Sequence, residues 1–168
     1  MRKAVGNTSK TERLKLRSHS AKQTQLLGKQ IGKLAQSGDI LLFTGNLGTG
    51  KTCLIQGIAY GLGIKEHPFS PSFVIVREYH GRLPLYHIDF YRLDHIKEII
   101  ELGLEEYLYG NGVCAVEWAE KGLETLPERN LLITLHYVSD SHTERAICLE
   151  PRGERYLELL RELKLSLR

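Results

Sequence analysis

Residues 45–52 carry the glycines, lysine and threonine of the pattern G-x-x-x-x-G-K-T. Glycines at positions 45, 48 and 50 let the backbone turn so that its N–H groups point toward an anion. Lys51 offers a positive charge to the outer phosphates of a nucleotide, and Thr52 offers a hydroxyl to Mg²⁺. An apolar segment precedes this loop and a helical segment follows it, as phosphate binding at a helix N-terminus requires. The sequence therefore predicts a phosphate-binding loop (P-loop) for a nucleoside triphosphate with magnesium.

Two acidic residues follow apolar, strand-like segments elsewhere in the chain. Asp89 directly follows residues 85–88, and Glu117 directly follows residues 113–116. Ligands of open α/β sheets bind at the carboxyl ends of strands, so we expect both carboxylates near the metal. Either can hold the metal or order the attacking water. The alternative for each is an exposed turn or a structural ion pair.

A serine-containing loop lies between the P-loop helix and the next strand. Ser70 and Ser72 flank Pro71 there, and their hydroxyls suit a loop that responds to the γ-phosphate. A plain turn explains the same residues equally well. The seven histidines show no ligand spacing, so we assign no metal to them.

Apolar periodicity predicts the elements that must hold these residues in place. Predicted strands cover residues 13–18, 40–44, 73–79, 84–90, 113–118, 130–138 and 145–149. Predicted helices cover residues 20–36, 51–62, 94–109 and 154–165. Alternating strands and helices indicate an α/β fold, and two hairpins make its sheet mixed.

The composition is that of an ordinary globular chain. Its 168 residues fit one domain, and 42% apolar residues can build a core without disulfides. No apolar stretch is long enough to predict a membrane-spanning helix. Cys53, Cys114 and Cys148 are too scattered for a disulfide framework, which favours a reducing, cytoplasmic location.

Positive charge is concentrated near the N-terminus of a chain whose net charge is +3. Against the single acid Glu12, the first 22 residues carry Arg2, Lys3, Lys10, Arg13, Lys15, Arg17 and Lys22. We divide the chain into a basic arm, residues 1–17, and a single domain, residues 18–168. Such an arm is typical of a disordered terminus, and the alternatives are contact with RNA or an acidic partner and a short transit peptide.

Five segments, taken in order, resemble the TsaE (YjeE) family of bacterial ATPases in tRNA threonylcarbamoyladenosine (t6A) biosynthesis. They are residues 45–52, 70–72, 86–93, 101–103 and 116–118. The resemblance runs from near residue 20 to near residue 150. Its specific part is the combination of Asp-x-Tyr-Arg at 89–92 with Glu-Trp at 117–118. The chain has Asn46, Thr49 and Ser72 where the family usually has Asp, Ala and Thr.

The resemblance implies a P-loop NTPase-like three-layer sandwich with a mixed, mostly parallel central sheet and helices on both faces. It implies slow ATP hydrolysis with Mg²⁺ held by Thr52 and Glu117, and catalytic roles for Asp89, Lys51 and Glu117. It places Thr24 near the adenine and makes Ser70 and Ser72 responsive to nucleotide. The predicted nucleotide-binding set is Gly45, Asn46, Leu47, Gly48, Thr49, Gly50, Lys51, Thr52, Cys53, Thr24, Ser70 and Ser72.

The resemblance also implies partners. They are the t6A transferase catalytic subunit TsaD and its inactive paralogue TsaB, with tRNA reached indirectly through that assembly and no membrane. The chain would not perform the transfer itself, and its ATP cycle would reset or license the assembly between turnovers.

Two other functions use the same loop. A small-molecule kinase needs an arginine-bearing lid, but the mid-chain arginines are only Arg77, Arg82 and Arg92, without a lid-like insertion. A nucleotide-dependent docking module for protein or RNA is favoured by the basic arm.

Overall fold

The computed structural model describes residues 12–69, 75–138 and 140–168. Within these residues seven strands form one sheet. They are β1 (Leu14–Ser18), β2 (Ile40–Thr44), β3 (Val76–His80), β4 (Pro84–Asp89), β5 (Val113–Glu117), β6 (Asn130–Tyr137) and β7 (Arg145–Arg152). The helices are α1 (Ala21–Leu34), α2 (Lys51–Gly61), α3 (Ile96–Glu101), α4 (Glu105–Leu108) and α5 (Glu154–Ser166). None of these helices is both long and apolar enough to cross a membrane.

The strand order is β1-β7-β6-β2-β5-β4-β3. The four central strands, β6, β2, β5 and β4, are mutually parallel. The hairpin partners β7 and β3 run antiparallel beside them, and β1 pairs antiparallel with β7. The predicted mixed sheet with a parallel centre is therefore confirmed.

Side-chain alternation along β2 explains why helices cover both faces. Leu41 and Phe43 point to a core shared with α1, α2 and α5. Ile40 and Leu42 point to the opposite core, which includes α3 and α4. A central strand buried on both sides reads as a continuous apolar run, as this one does. The predicted three layers are confirmed.

Helices α1 and α2 pack with almost no side chain between them. A Cβ on Gly57 would lie 2.1 Å from the Gln25 carbonyl oxygen, and one on Gly32 would lie 2.2 Å from that of Ile58. Gly28 and Gly61 are equally tight, so each helix contributes two glycines spaced four residues apart. This contact fixes the P-loop helix α2 against α1.

The predicted single helix over residues 94–109 is wrong. Gly103 has φ 62°, a left-handed conformation that ends one helix and lets the chain turn into the next. The result is two short helices, α3 and α4, and Ile99, Leu108 and the intervening Leu104 still reach one core.

At the N-terminus, β1 joins residues 14–17 of the predicted basic arm to the sheet through antiparallel pairing with β7. Residues 1–11 of that arm lie outside the described residues. The same is true of Ser70, Ser72 and the first two residues of the strand predicted at 73–79. The described part of this strand begins at Val76.

Candidate functional site

The phosphate loop joins the end of β2 to the start of α2. Gly45, Gly48 and Gly50 have φ of 137°, 79° and 102°, which L side chains rarely adopt. At Gly45 a side chain would also clash with the backbone, because an added Cβ would lie 2.3 Å from the Leu135 carbonyl oxygen. Lys51 is the first residue of α2, so the unpaired N–H groups of this helix point into the loop. The loop thus has the backbone of an anion site.

Lys51 is buried, with 5% of its surface exposed. Its Nζ donates to the carbonyl oxygens of Gly45 at 2.6 Å and Asn46 at 2.9 Å. The same ammonium lies 4.3 Å from the centre of the Trp118 ring. Burial lowers the pKa of Lys51, and the nearby Glu117, Glu120 and Asp89 charges oppose that shift. The cation is thus held inside the loop by carbonyl groups that an anion can replace.

Glu117, at the end of β5, connects the phosphate loop to the neighbouring strand. Its Oε1 accepts a hydrogen bond from Thr52 Oγ1 at 2.7 Å, and its Oε2 lies 3.2 Å from Nε2 of His87. Burial opposes ionisation, but the His87 and Thr52 hydrogen bonds and the Lys51 charge outweigh it, so the pKa of Glu117 is lowered. This carboxylate is therefore charged and fixed.

Asp89 occupies the matching position on β4. The β4–β5 register places Asp89 directly opposite Glu117, and the β2–β5 register places Glu117 opposite Phe43, two residues before the phosphate loop. Asp89 is 2% exposed, and its Oδ1 accepts the backbone N–H of Tyr91 at 2.7 Å. Because the strands are parallel, their carboxyl ends bring both acids to the phosphate loop.

These groups surround one cavity of about 330 Å³. Gly48, Gly50, Lys51 and Thr52 line it from the loop, and Asp89 and Glu117 line it from the sheet. The rings of Tyr91 and Trp118 complete the wall, with their centres 5.1 Å apart. Trp118 has φ 57°, which turns the chain sharply after Glu117. The structure thus brings the predicted lysine, threonine and both acids together.

The remaining predicted loop residues lie around this cavity. Asn46 is exposed, and its carbonyl oxygen accepts Thr49 Oγ1 at 2.8 Å as well as Lys51. Leu47 is 68% exposed at the cavity rim. Cys53 is half-buried, and its Sγ donates to the Ala21 carbonyl oxygen at 3.3 Å. Burial raises the pKa of this thiol, so Cys53 is protonated.

Thr24 lies on the other side of the loop. Its Oγ1 is 2.7 Å from Ser18 Oγ, and the residue is buried. A second cavity of about 60 Å³ joins Thr24, Cys53, Gly50 and Arg145. The cavity beside Thr24 therefore has room for a small part of a ligand that is bound at the phosphate loop.

The oxygen donors fit magnesium. Mg²⁺ prefers oxygen ligands and is commonly held by one or two carboxylates together with substrate phosphates rather than by an all-protein cage. Thr52, Glu117 and Asp89 supply a hydroxyl and two carboxylates at the wall of one cavity. Among the described residues no cluster of three or more His, Cys, Asp or Glu side chains forms such a cage. The donor set therefore suits a metal that arrives with a nucleotide.

Three contributors were not predicted. Metal-ligand spacing does not identify His87, although its alternation with Asp89 on β4 places both on one sheet face. Tyr137 OH donates to the Gly48 carbonyl oxygen at 2.5 Å, and Arg145 Nε donates to that of Thr49 at 2.8 Å. The Arg145 guanidinium lies 4.3 Å from the Tyr137 ring centre. Tyr137 ends β6, whose carboxyl end borders the loop, and this was the available signal.

Known proteins are similar to this chain in sequence and in fold. The family model "Threonylcarbamoyl adenosine biosynthesis protein TsaE" matches residues 18–147. The "tRNA threonylcarbamoyladenosine biosynthesis protein TsaE" of Treponema pallidum is 42% identical over 127 residues, which are 76% of this chain and 94% of that protein. Its Bacillus subtilis namesake is 42% identical over 153 residues, which are 90% and 94% of the two chains.

A solved structure agrees along almost the whole chain. The crystal structure of Bacillus subtilis YdiB matches with a TM-score of 0.81 and 39% identity, covering 94% of this chain and 97% of that one. The family model, the relatives and the shared fold lead to one conclusion. The chain belongs to the TsaE family of threonylcarbamoyl adenosine biosynthesis proteins, a family of P-loop nucleotide-binding proteins.

Proposed function

We propose that this protein is an accessory ATPase that binds Mg-ATP, hydrolyses it slowly and supports the formation of t6A in tRNA. The observation that carries the proposal is the convergence of Lys51, Thr52, Glu117 and Asp89 on one cavity in a chain of this family. The cavity has a cation and N–H groups for phosphates and hard oxygen ligands for a divalent metal.

Each of these residues has a separate proposed role. Lys51 exchanges its hydrogen bonds with Gly45 and Asn46 for the β- and γ-phosphates of the nucleotide. Thr52 and Glu117 would hold Mg²⁺, which would neutralise the charge that develops on the phosphates. Asp89, buried one strand away, orders the attacking water.

The second cavity is the proposed site for the rest of the nucleotide. Its place beside Gly50, next to Thr24 and Cys53, suits the part of the nucleotide beyond the phosphates. Ser70 and Ser72 are proposed to respond to the γ-phosphate. In the sequence they lie between α2 and β3.

The proposed partners are TsaD and TsaB, with tRNA contacted through their assembly. Three apolar side chains near the phosphate loop, Leu47, Tyr91 and Tyr137, are 68%, 41% and 43% exposed. A partner that covered them would exclude water from the phosphates and thereby strengthen the electrostatic interactions of the site.

The test is ATP hydrolysis by the purified protein alone and with TsaD, TsaB and tRNA, with Lys51→Ala as the inactive control. We expect slow basal hydrolysis that changes when the assembly is added and that Lys51→Ala abolishes. A basal rate that is indifferent to the assembly would refute the partner role. Hydrolysis by Lys51→Ala at the wild-type rate would refute the assigned site.

A further inference from the structure

We propose that His87 is a positioning residue that holds the Glu117 carboxylate in the orientation required for the metal site. The inference rests on the proposed Mg-ATP function and adds a residue to it. His87 does not itself line the cavity, and its side chain bonds to Glu117, which does, so we place its action through Glu117.

The geometry around Glu117 supports this role. Among the described residues each carboxylate oxygen has one hydrogen-bond partner, namely Thr52 at 2.7 Å from Oε1 and His87 at 3.2 Å from Oε2. Thr52 and Glu117 both line the cavity, where the hydroxyl and the carboxylate would supply oxygen ligands to a metal. His87 is fully buried and does not line the cavity, so its bond to Oε2 would remain when the metal is held. His87 is thus the contact that prevents Glu117 from rotating.

The sheet register explains how the imidazole reaches this carboxylate. His87 lies opposite Ala115, and Asp89 lies opposite Glu117, so His87 and Glu117 are diagonal neighbours on one face of β4 and β5. Diagonal pairs are within reach of a long or aromatic side chain. The small, fully buried Ala115 leaves room for the ring to lean toward Glu117. A larger residue at position 115 would close this route.

The other ring nitrogen argues against a purely structural role. His87 is fully buried, and its Nδ1 has no hydrogen-bond partner among the described residues. A carboxylate only accepts hydrogen bonds, so Nε2 must carry the proton that is donated to Glu117. A phenylalanine would fill the same space without stranding a polar atom, and stranded polar atoms cost stability. The role of residue 87 therefore depends on a hydrogen-bond donor to Glu117 rather than on an aromatic ring.

The test separates the donor from the ring by two substitutions. His87→Phe keeps the ring and removes the donor, and His87→Gln keeps an N–H donor near the position of Nε2. Mg²⁺ is titrated into protein with a fixed ATP concentration, and the fluorescence of Trp118 is recorded. Trp118 is the single tryptophan of the chain and lies in the cavity wall, 4.3 Å from Lys51 Nζ. Binding of ATP with chelator present is measured in parallel.

We expect His87→Phe to weaken the apparent Mg²⁺ affinity by about tenfold or more, as loss of a second partner of a metal ligand generally does. Metal-free ATP binding should stay as in wild type, and His87→Gln should restore most of the Mg²⁺ affinity. A Mg²⁺ titration of folded His87→Phe equal to that of wild type overturns the inference. So does a His87→Gln protein that is folded and as weak as His87→Phe.

A double-mutant cycle with Glu117→Gln tests whether His87 acts through Glu117. The His87→Phe effect should vanish in the Glu117→Gln background, and an undiminished, additive effect overturns the inference. If His87→Phe does not fold, His87→Asn replaces it, because its amide is too short to reach Glu117. Wild-type protein without any Mg²⁺-dependent signal would instead refute the proposed Mg-ATP function itself.

Discussion

The two sides of the cavity are built in different ways. The phosphate side is one continuous segment, in which Lys51 bonds to carbonyl groups only five and six residues away. The metal side is assembled from the ends of β4 and β5, and Glu117 meets Thr52 across 65 positions of the chain. The first side depends on local backbone geometry, and the second depends on the register of the sheet.

This difference predicts which changes affect which function. A substitution on the phosphate side should alter nucleotide binding whether or not metal is present. A substitution on the metal side should alter only the gain in nucleotide affinity that Mg²⁺ provides. The α1–α2 contact and the β6–β7 hairpin support the phosphate side from outside, so changes there should have smaller effects on nucleotide binding.

The largest effect is expected for Lys51→Ala. Loss of charge-assisted hydrogen bonds to two phosphates, at about 1.5–3 kcal/mol each, should weaken ATP binding by about 100-fold or more. Calorimetric titration with ATP measures this effect, with and without Mg²⁺. Lys29→Ala, on the exposed side of α1, is the matched control and should bind as wild type. Equal loss in the two variants would contradict the account.

Glu117→Gln should come next. It keeps the shape and removes the charge, so Mg²⁺ affinity should fall by about tenfold or more while ATP binding in chelator stays unchanged. The same calorimetric titration, with the Mg²⁺ concentration varied, checks this, and Glu124→Gln, at an exposed position outside the cavity wall, is the control. A Glu117→Gln protein that loses metal-free ATP binding would break the division between the two sides.

Gly57→Ala tests the support of the P-loop helix. Alanine in place of glycine within a helix ordinarily stabilises a protein by about 0.5–1 kcal/mol. Here the new methyl would lie 2.1 Å from the Gln25 carbonyl oxygen, so the free energy of unfolding should fall by about 1–3 kcal/mol. Urea denaturation measures whether the free energy of unfolding falls or rises in Gly57→Ala. Increased stability would mean that α1 and α2 are farther apart than described.

Tyr137→Phe should have a smaller effect. It removes the hydrogen bond to the Gly48 carbonyl oxygen and leaves the ring against Arg145. Loss of one such bond, at about 0.5–1.5 kcal/mol, should weaken ATP binding by about two- to tenfold, with or without Mg²⁺. A loss that appeared only in the presence of Mg²⁺ would assign Tyr137 to the metal side instead.

The pH dependence of stability should be the smallest effect. The pKa of Glu117 lies below 4.5 in the folded protein, so its ionised form contributes stability fully above pH 4.5. This contribution is lost as the pH falls through the lower folded value. The difference in unfolding free energy between wild type and Glu117→Gln should therefore shrink below pH 4.5. A constant difference from pH 7 to pH 3.5 would contradict the assigned contacts.

The two sides also differed in how far the sequence could predict them. The phosphate loop was predictable because its motif, the preceding strand and the following helix are all local. Asp89 and Glu117 were predictable as ends of strands, since parallel strands share a carboxyl edge. His87 was missed because its role depends on a neighbour that is small, Ala115, and on a strand register that a single sequence does not reveal.

The errors in the fold have a similar origin. Ile96, Ile99, Ile100 and Leu104 have helical spacing, but Gly103 adopts a left-handed conformation and divides the helix. The close contact of α1 with α2 depends on glycines of both helices at once. The spacing of apolar residues therefore reveals neither the break at Gly103 nor the glycine contact between α1 and α2.

The most direct test of the central claim is calorimetric titration of the wild-type protein with ATP, in Mg²⁺ and in chelator. We expect binding in both conditions, tighter with Mg²⁺, because Thr52 and Glu117 would then hold the metal that accompanies the phosphates. Binding that is equally tight with and without Mg²⁺ would contradict it, since the carboxylate side of the cavity would then contribute nothing to the nucleotide complex.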